Sequence, residues 1–354
     1  MDELDQRSWW TPTPDDPAWT LPADLRAIDP FAARDCGWVN QMRPFVRQFS
    51  RPGQQVFDPF CGFGSTLLAA ALEGRSAHGM EIDPARAQLA SERLRRQQVQ
   101  APVVVGSLVD CAPADAVDLC LTNVPYFGCG WRGDAATGQL YASADYAEYL
   151  AGLRAVFHAL RRHLRGDGYG VAMIQNVVLG GRVVPQAWDL GRILSSLFTL
   201  REERVLCYPQ VAAPLAPGRS DSNRRHEYAL LFQHCRPRLD PAQAAQLLQA
   251  LQAQALPFTL HGSYAQWLRD PAQLPAGPSD LDLLLPDRQP LWDQLTSWLQ
   301  GQGFALSLWG EPCRAPVALA AVRAHHYLRA ERVTADGGRL QVDLQVAADE
   351  PSPA

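Results

Sequence analysis

The sequence predicts an α/β domain built on a mostly parallel sheet of seven strands, followed by a smaller α+β domain. Three observations lead to this. From Gln54 onward, short apolar runs alternate with helical patterns. A glycine-containing turn, DPFCGFGS, closes the first run and opens a helix, and the composition shifts after Cys235. Strands that alternate with helices pair in parallel and carry helices on both faces.

Residues 1–35 are rich in Pro, Asp and Trp and read as an arm lying over a folded body, with Trp9, Trp10 and Trp19 covering apolar surface. QQVFDPF is the first strand, TLLAAALEGR a helix, SAHGMEID the second strand and PARAQLASERLRRQQ the next helix. PVVVGSL and VDLCLTN are strands three and four, and the pattern from Asp145 to Leu164 is an amphipathic helix with a basic end. YGVAMIQNV is the fifth strand and AWDLGRILSSLF a helix. REERVLCYP and EYALLFQH form a closing pair joined by a loop rich in Pro, Gly, Ser and Arg. That connection suits an antiparallel hairpin whose loop, about 210–225, faces the substrate. DPAQAAQLLQALQAQA is a connecting helix, and a second domain, 236–354, begins behind the main one, 36–235.

Of the 354 residues, 47% are hydrophobic and 19% charged, which supports a substantial core and excludes wholesale disorder. The net charge of -5 gives no overall attraction to a polyanion, so nucleic-acid binding requires a local patch or a protein partner. Eight cysteines without a repeated pair spacing, no secretory leader and no membrane-spanning run point to a cytoplasmic protein with free thiols. Neither CxxC nor HExxH occurs, and His325 and His326 are adjacent residues that point apart, so no zinc site is expected.

In DPFCGFGS, Gly62 and Gly64 allow backbone to approach a ligand, and Ser65 and Thr66 open a helix whose first N–H groups lack intrahelical partners. The spacing is not GxGxxG, and no GxxxxGK[ST] loop occurs. Asp58, ahead of Pro59 and Phe60, is a poor neighbour for a pyrophosphate and a good one for an ammonium. That polarity favours a cofactor carrying methionine on adenosine. Glu81, at the end of the second strand, is placed to accept ribose hydroxyls. Asp83 either joins it or caps the following helix.

The runs DPFCGFGS, GMEIDP and TNVPYFG together resemble the amino-methyltransferase family that acts on adenine N6 or cytosine N4 of DNA, with relatives acting on RNA. The resemblance spans about residues 36–235 and includes NQMRPFVRQFSRPGQ, a helix packed near the methionine end of the cofactor. It implies a Rossmann-like fold that uses S-adenosylmethionine, with Asp58, Phe60, Gly62, Gly64, Ser65, Thr66, Glu81 and Asp83 at the cofactor. It also implies a catalytic tetrad of Asn123, Val124, Pro125 and Tyr126. Val124 stands where the DNA enzymes carry a first proline, which brings the tetrad toward the form seen in ribosomal RNA adenine dimethyltransferases.

An exocyclic base nitrogen is a poor nucleophile because its lone pair is conjugated with the ring. Acceptance of its two hydrogens by the Asn123 side-chain oxygen and the Val124 carbonyl turns that pair toward the donor methyl. Pro125 stiffens the loop and Tyr126 stacks on the base, backed by Phe127. A duplex base must be flipped out to reach such a pocket. The cysteine-dependent C5 route lacks its Pro-Cys motif, and Cys129 is misplaced for it. Trp131 and Arg132 in CGWRGD, with Arg224 and Arg225, are candidate base or phosphate contacts, although a solvated loop explains them equally well.

FTLHGSYAQWL, PSDLDLLLP and LQVDLQV resemble the nucleotidyltransferase pattern of the DNA polymerase beta type. Asp280 and Asp282, two apart on a strand, share a face that Asp343 can join, giving an oxygen-rich site for Mg2+ with a nucleoside triphosphate. An inactive recognition domain is the alternative, because the gap from Gly262 and Ser263 to Asp280 is long for the pattern. The expected activity is methylation of a nucleobase amine, in DNA before RNA. A bifunctional enzyme that also transfers nucleotidyl groups, and a subunit dependent on a partner, are the alternatives.

Overall fold

The computed structural model describes residues 7–113, 116–131, 134–209, 225–235, 239–274, 277–325, 327–334 and 338–347. Arg132, Arg224, His326 and most of the 210–225 loop lie outside this set. The chain divides into two compact units, Met1–Cys235 and Arg236–Ala354.

In the first unit the order is β1 (Trp9–Trp10), α1 (Ala23–Ile28), α2 (Val39–Phe49), β2 (Gln55–Asp58), α3 (Ser65–Leu72), β3 (Ser76–Glu81), α4 (Pro84–Arg96), β4 (Val103–Val105) and β5 (Val117–Asn123). Then come α5 (Tyr146–Leu160), β6 (Leu164–Ile174), β7 (Val177–Leu179), β8 (Arg182–Val184), α6 (Gln186–Leu197), β9 (Thr199–Cys207) and β10 (His226–Gln233). The main sheet runs β1-β9-β10-β6-β5-β2-β3-β4. Pairing is parallel from β6 through β5 and β2 to β4, and antiparallel where β10 meets β6 and β9.

The sheet has eight strands, one more than the seven expected. The extra strand is Trp9–Trp10, which leaves the arm to pair in parallel with Val205–Leu206. It covers the free edge of β9 and buries part of Trp10 against Phe45, at 5.4 Å between ring centroids, while Trp9 stays exposed. A second unanticipated element is the hairpin β7–β8, turned through Gly180 and Gly181, both at positive φ.

Local chemistry sets the helix starts. Asp83 caps α4 by accepting the Arg86 N–H at 2.8 Å, with Pro84 at the first helical position. Asp145 accepts from Glu148 N–H while the Glu148 carboxylate accepts from Ala144 N–H, closing the start of α5. Val56, Phe57, Leu119, Cys120 and Leu121 are buried between helix layers. Strands β2 and β5 are neighbours, but the chain leaves β2 toward β3 on its other side. The strand order therefore reverses between β2 and β5, where open sheets of this kind form a ligand crevice at their carboxyl ends.

The second unit contains α7 (Pro241–Ala253), β11 (Thr259–His261), α8 (Gly262–Arg269), β12 (Leu281–Leu285), α9 (Gln289–Gly301), β13 (Ala305–Leu308), β14 (Glu311–Cys313), α10 (Leu319–Ala324), β15 (Leu328–Val333) and β16 (Arg339–Val346). Its six-stranded sheet runs β11-β12-β16-β15-β13-β14, with β12 and β16 parallel. Leucines from β12 and β16 pack with Trp292, Leu295 and Leu299 of α9. Among the described residues, no helix is long and apolar enough to cross a membrane.

Candidate active site

The carboxyl ends of β2, β3 and β5 carry Asp58, Glu81 and Asn123. Between β2 and α3 the chain turns through Gly62 at φ 50° and Gly64 at φ 79°. Gly62 lines a cavity, and a Cβ there would meet nothing closer than the Phe60 carbonyl at 3.9 Å, so any side chain would stand in the space a ligand needs.

Glu81 accepts the Gly62 N–H at 3.0 Å through one carboxylate oxygen and the Asp83 N–H at 2.9 Å through the other. It therefore holds the glycine turn against the end of β3. Burial pushes its carboxyl above the usual range. Asp58 accepts the Phe60 N–H at 3.0 Å. Burial pushes its carboxyl up to about 6, against the opposing pull of the Thr122 and Thr66 hydroxyls and the Phe60 N–H.

The cavity around these groups is lined by Asp58, Phe60, Gly62, Ser65, Thr66 and Glu81, with Asn123 and Pro125 at one side. A second cavity is lined by Trp38, Tyr126 and Tyr208, together with Gln41, Val124, Gln175 and Glu227. The two share Asp35, Gly37, Asn123 and Tyr141. Asn123 thus stands where a donor in one space would meet an acceptor in the other.

The remaining expected residues are placed differently. Gly64 packs toward Leu94, and Asp83 is the α4 cap; neither lines a cavity. Phe127 is held by Gln186, which accepts its N–H at 3.0 Å and donates to its carbonyl at 3.2 Å, and its ring meets Tyr146 and Tyr149. The Tyr149 hydroxyl donates to the Pro125 carbonyl at 2.7 Å, bracing the tetrad from behind. Trp131 stacks on Tyr141 at 5.9 Å and 9°. Arg225 is exposed, and its carbonyl accepts from the Tyr208 N–H. Phe127, Trp131 and Arg225 line neither cavity. Cys129 also lines neither, and burial pushes its thiol up, away from the nucleophilic thiolate.

Several residues at the site were not anticipated. The arm contributes Asp35 as a cavity wall, and Gly37 and Trp38 just after it contribute two more. It is fastened by buried Arg93, which donates to the Trp19 carbonyl at 2.6 Å and to the Phe63 carbonyl at 2.9 Å. Arg86 lines the first cavity, paired with Asp29 and Asp35 and surrounded by the rings of Phe31, Phe63, Trp131 and Tyr141. Its cue was a cation in the first turn after a capped start, and the caging rings come from distant segments.

In the second unit Asp282 and Asp343 are direct partners on β12 and β16. One ligand oxygen from each of Asp280, Asp282 and Asp343 lies within 4.8 Å of the others. Arg329 grips Asp343 through a two-point fork at 2.9 and 3.0 Å. Asp280 accepts from the Ser279 hydroxyl at 2.6 Å and the Gln341 amide at 3.2 Å, and the Ser263 hydroxyl lies 3.1 Å from that of Ser279. A Cβ on Gly262 would fall 1.9 Å from the Asp282 carboxylate, so only glycine fits this turn.

Comparison with known proteins gives a partial family match. Residues 39–92, from α2 into α4, match the N6_N4_Mtase family, described as DNA methylase. No curated protein matches the chain. Among solved structures, TrmN from Thermus thermophilus is similar at 17% identity over 55% of this chain, with a TM-score of 0.39; the chain spans about half of that protein, 48%. The N-methyltransferase NodS from Bradyrhizobium japonicum is similar at 11% identity over 56% of this chain and 94% of its own, with a TM-score of 0.39. An rRNA methylase from Streptococcus thermophilus is similar at 12% identity over 56% of this chain and 98% of its own, with a TM-score of 0.36.

Proposed function

We propose that the first unit transfers a methyl group from S-adenosylmethionine to an exocyclic amino nitrogen of a nucleobase, adenine N6 or cytosine N4 of DNA. The observation that carries this reading is Asn123, which lines both the glycine-turn cavity and the aromatic cavity. The DNA methylase match over residues 39–92 supports the same class.

The bound cofactor supplies an electrophilic methyl on a sulfonium. Glu81 would accept its ribose hydroxyls, Asp58 would face its ammonium, and Gly62 would leave room for it. In the second cavity, walled by Trp38, Tyr126 and Tyr208, Tyr126 stacks on a flat base, and Asn123 with the Val124 carbonyl accepts the two amine hydrogens. The Val124 N–H is already committed to the Met173 carbonyl at 2.9 Å, which fixes the plane of the peptide that joins Asn123 to Val124. Holding the nitrogen in line with the methyl supplies much of the acceleration. When bound, the cofactor would supply the methyl group to the amine nitrogen, which Asn123 and the Val124 carbonyl would hold in place as it gives up one proton to water. Methyl-labelled cofactor incubated with DNA, RNA and nucleosides, followed by digestion, tests the reading. N6-methyladenine or N4-methylcytosine is expected, and label on oxygen or carbon overturns it.

Asp58 gives this reading a pH signature. In the free protein its carboxyl holds a proton up to about pH 6, and a neighbouring ammonium favours the ionised form. Cofactor binding therefore releases a proton below that pH, and affinity falls by up to about tenfold per unit as pH drops from 6 to 5. Calorimetry should show affinity level above pH 7 and falling below 6, with Asp58→Asn flat across the range. A wild-type affinity independent of pH would remove Asp58 from the ammonium.

The convergence of Asp280, Asp282 and Asp343 favours a second reading for residues 236–354: a divalent-cation site, Mg2+ with a nucleoside triphosphate, in a nucleotidyltransferase-like domain. Arg329 neutralises one of three mutually repelling carboxylates. Asp282→Asn in the full chain is expected to abolish Mg2+-dependent ATP binding, read by calorimetry, and to leave methyl transfer unchanged. ATP binding that ignores Mg2+ would count against this site.

A further inference from the structure

The aromatic cavity contains a carboxylate that the methyl-transfer scheme leaves without a task. Glu227 on β10 is 7% exposed and lies opposite Leu206 of β9. One of its oxygens accepts from the Tyr126 hydroxyl at 2.7 Å and the Gln175 amide at 3.3 Å. The other accepts from the Tyr208 hydroxyl at 2.6 Å and the Gln41 amide at 2.5 Å. These donors come from α2, the tetrad, the chain after β6 and the chain after β9.

We propose that Glu227 is the positioning residue of the acceptor cavity, fixing Tyr126, Tyr208, Gln41 and Gln175 in one arrangement around Asn123. This rests on the methyl-transfer reading of the same site. A carboxylate offers about four acceptor positions, and here all four are taken. Glu227 therefore has no vacancy for the amine proton, and its effect runs through the groups it holds. A buried charge is costly unless hydrogen-bonded, and among the described residues these four neutral donors, with no arginine, supply the compensation. The burial and the Glu227 charge push the Tyr126 phenol up, so its hydroxyl remains a donor. The tether fixes the position of the Tyr126 hydroxyl and with it the direction of the ring axis. It also joins that ring to Tyr208, whose own ring meets Trp38 edge-on at 5.5 Å. The three walls of the cavity are thus set from one point.

The test compares wild type, Glu227→Gln and Tyr126→Phe in the full chain, using single-stranded DNA that the wild type methylates. Glutamine keeps the size but offers only one accepting group to four donors. Glu227→Gln is expected to lower kcat about tenfold, with S-adenosylhomocysteine affinity unchanged in calorimetry. Tyr126→Phe should cost less in the Glu227→Gln background than alone, since both changes break one link. Unchanged kcat and KM in a folded Glu227→Gln protein would overturn the proposal, whatever its melting temperature. Ring-labelled tyrosine NMR reads the tether without any activity: the Cζ resonances of Tyr126 and Tyr208, which report the hydrogen bonds of their hydroxyls, are expected to shift in Glu227→Gln. If the wild type methylates no nucleic acid, the methyl-transfer reading falls, and unchanged Tyr126 and Tyr208 Cζ resonances in Glu227→Gln would then overturn the role of Glu227 separately.

Discussion

Asn123→Ala is expected to lower the turnover of methyl transfer by on the order of 10²- to 10³-fold, the usual loss when one preorganised polar contact to the reacting centre is removed. The position of the residue sets the direction of the effect. Asn123 ends β5, opposite Met173 of β6, with the Val124 N–H tied to the Met173 carbonyl; its backbone is fixed by the sheet. Alanine keeps that backbone and removes only the accepting oxygen. Cofactor affinity should barely move, because Asp58, Glu81 and the glycine turn are untouched. Asn123→Asp, which keeps an oxygen at the same reach, should retain far more activity than alanine. Single-turnover rates with labelled methyl, beside calorimetric affinities, separate the two effects. Full activity in Asn123→Ala would dismantle the placement of the acceptor amine.

The central sheet could be read because its strands are largely buried on both faces and appear as short, mainly apolar runs ending in a polar residue: Asp58, Glu81 and Asn123. The closing antiparallel pair was legible from the absence of a helical pattern between its strands. The arm's strand was not. Two tryptophans carry no alternation, and their pairing depends on Val205 and Leu206, almost 200 residues away. The β7–β8 hairpin announced itself only through Gly180 and Gly181 between two valine runs, each too short to weigh as a strand. At the site, the glycine turn and the tetrad are contiguous and so visible. Glu227 left one cue, a lone acid in the apolar strand HEYALLFQ, while its partner Gln41 is 186 residues distant. Trp131 and Phe127 carried a cue whose surroundings the sequence did not show. Aromatic residues beside a catalytic loop suggest stacking on substrate, yet both rings are engaged by other protein rings.

Glu81 is where the largest loss of cofactor binding is expected. Its two oxygens already accept the Gly62 and Asp83 N–H groups, so the carboxylate shapes the turn as well as facing the cavity. Each oxygen retains a further accepting position, enough for one ribose hydroxyl apiece. Glu81→Ala deletes both ribose acceptors and leaves two backbone N–H groups near the turn without their partner. Charged hydrogen bonds of this kind contribute about 1.5–3 kcal/mol each, so with both lost affinity should fall on the order of 10²- to 10⁴-fold. Glu81→Gln separates the two roles: its single oxygen can serve one N–H and one hydroxyl, while its amide opposes the other pair. An intermediate loss is therefore expected, with the fold intact. Calorimetry with S-adenosylhomocysteine reads both variants, and adenosine alone provides the sharper probe because it carries the ribose without the methionine. If adenosine binds equally to wild type and Glu81→Ala, the carboxylate serves only the turn and the ribose lies elsewhere.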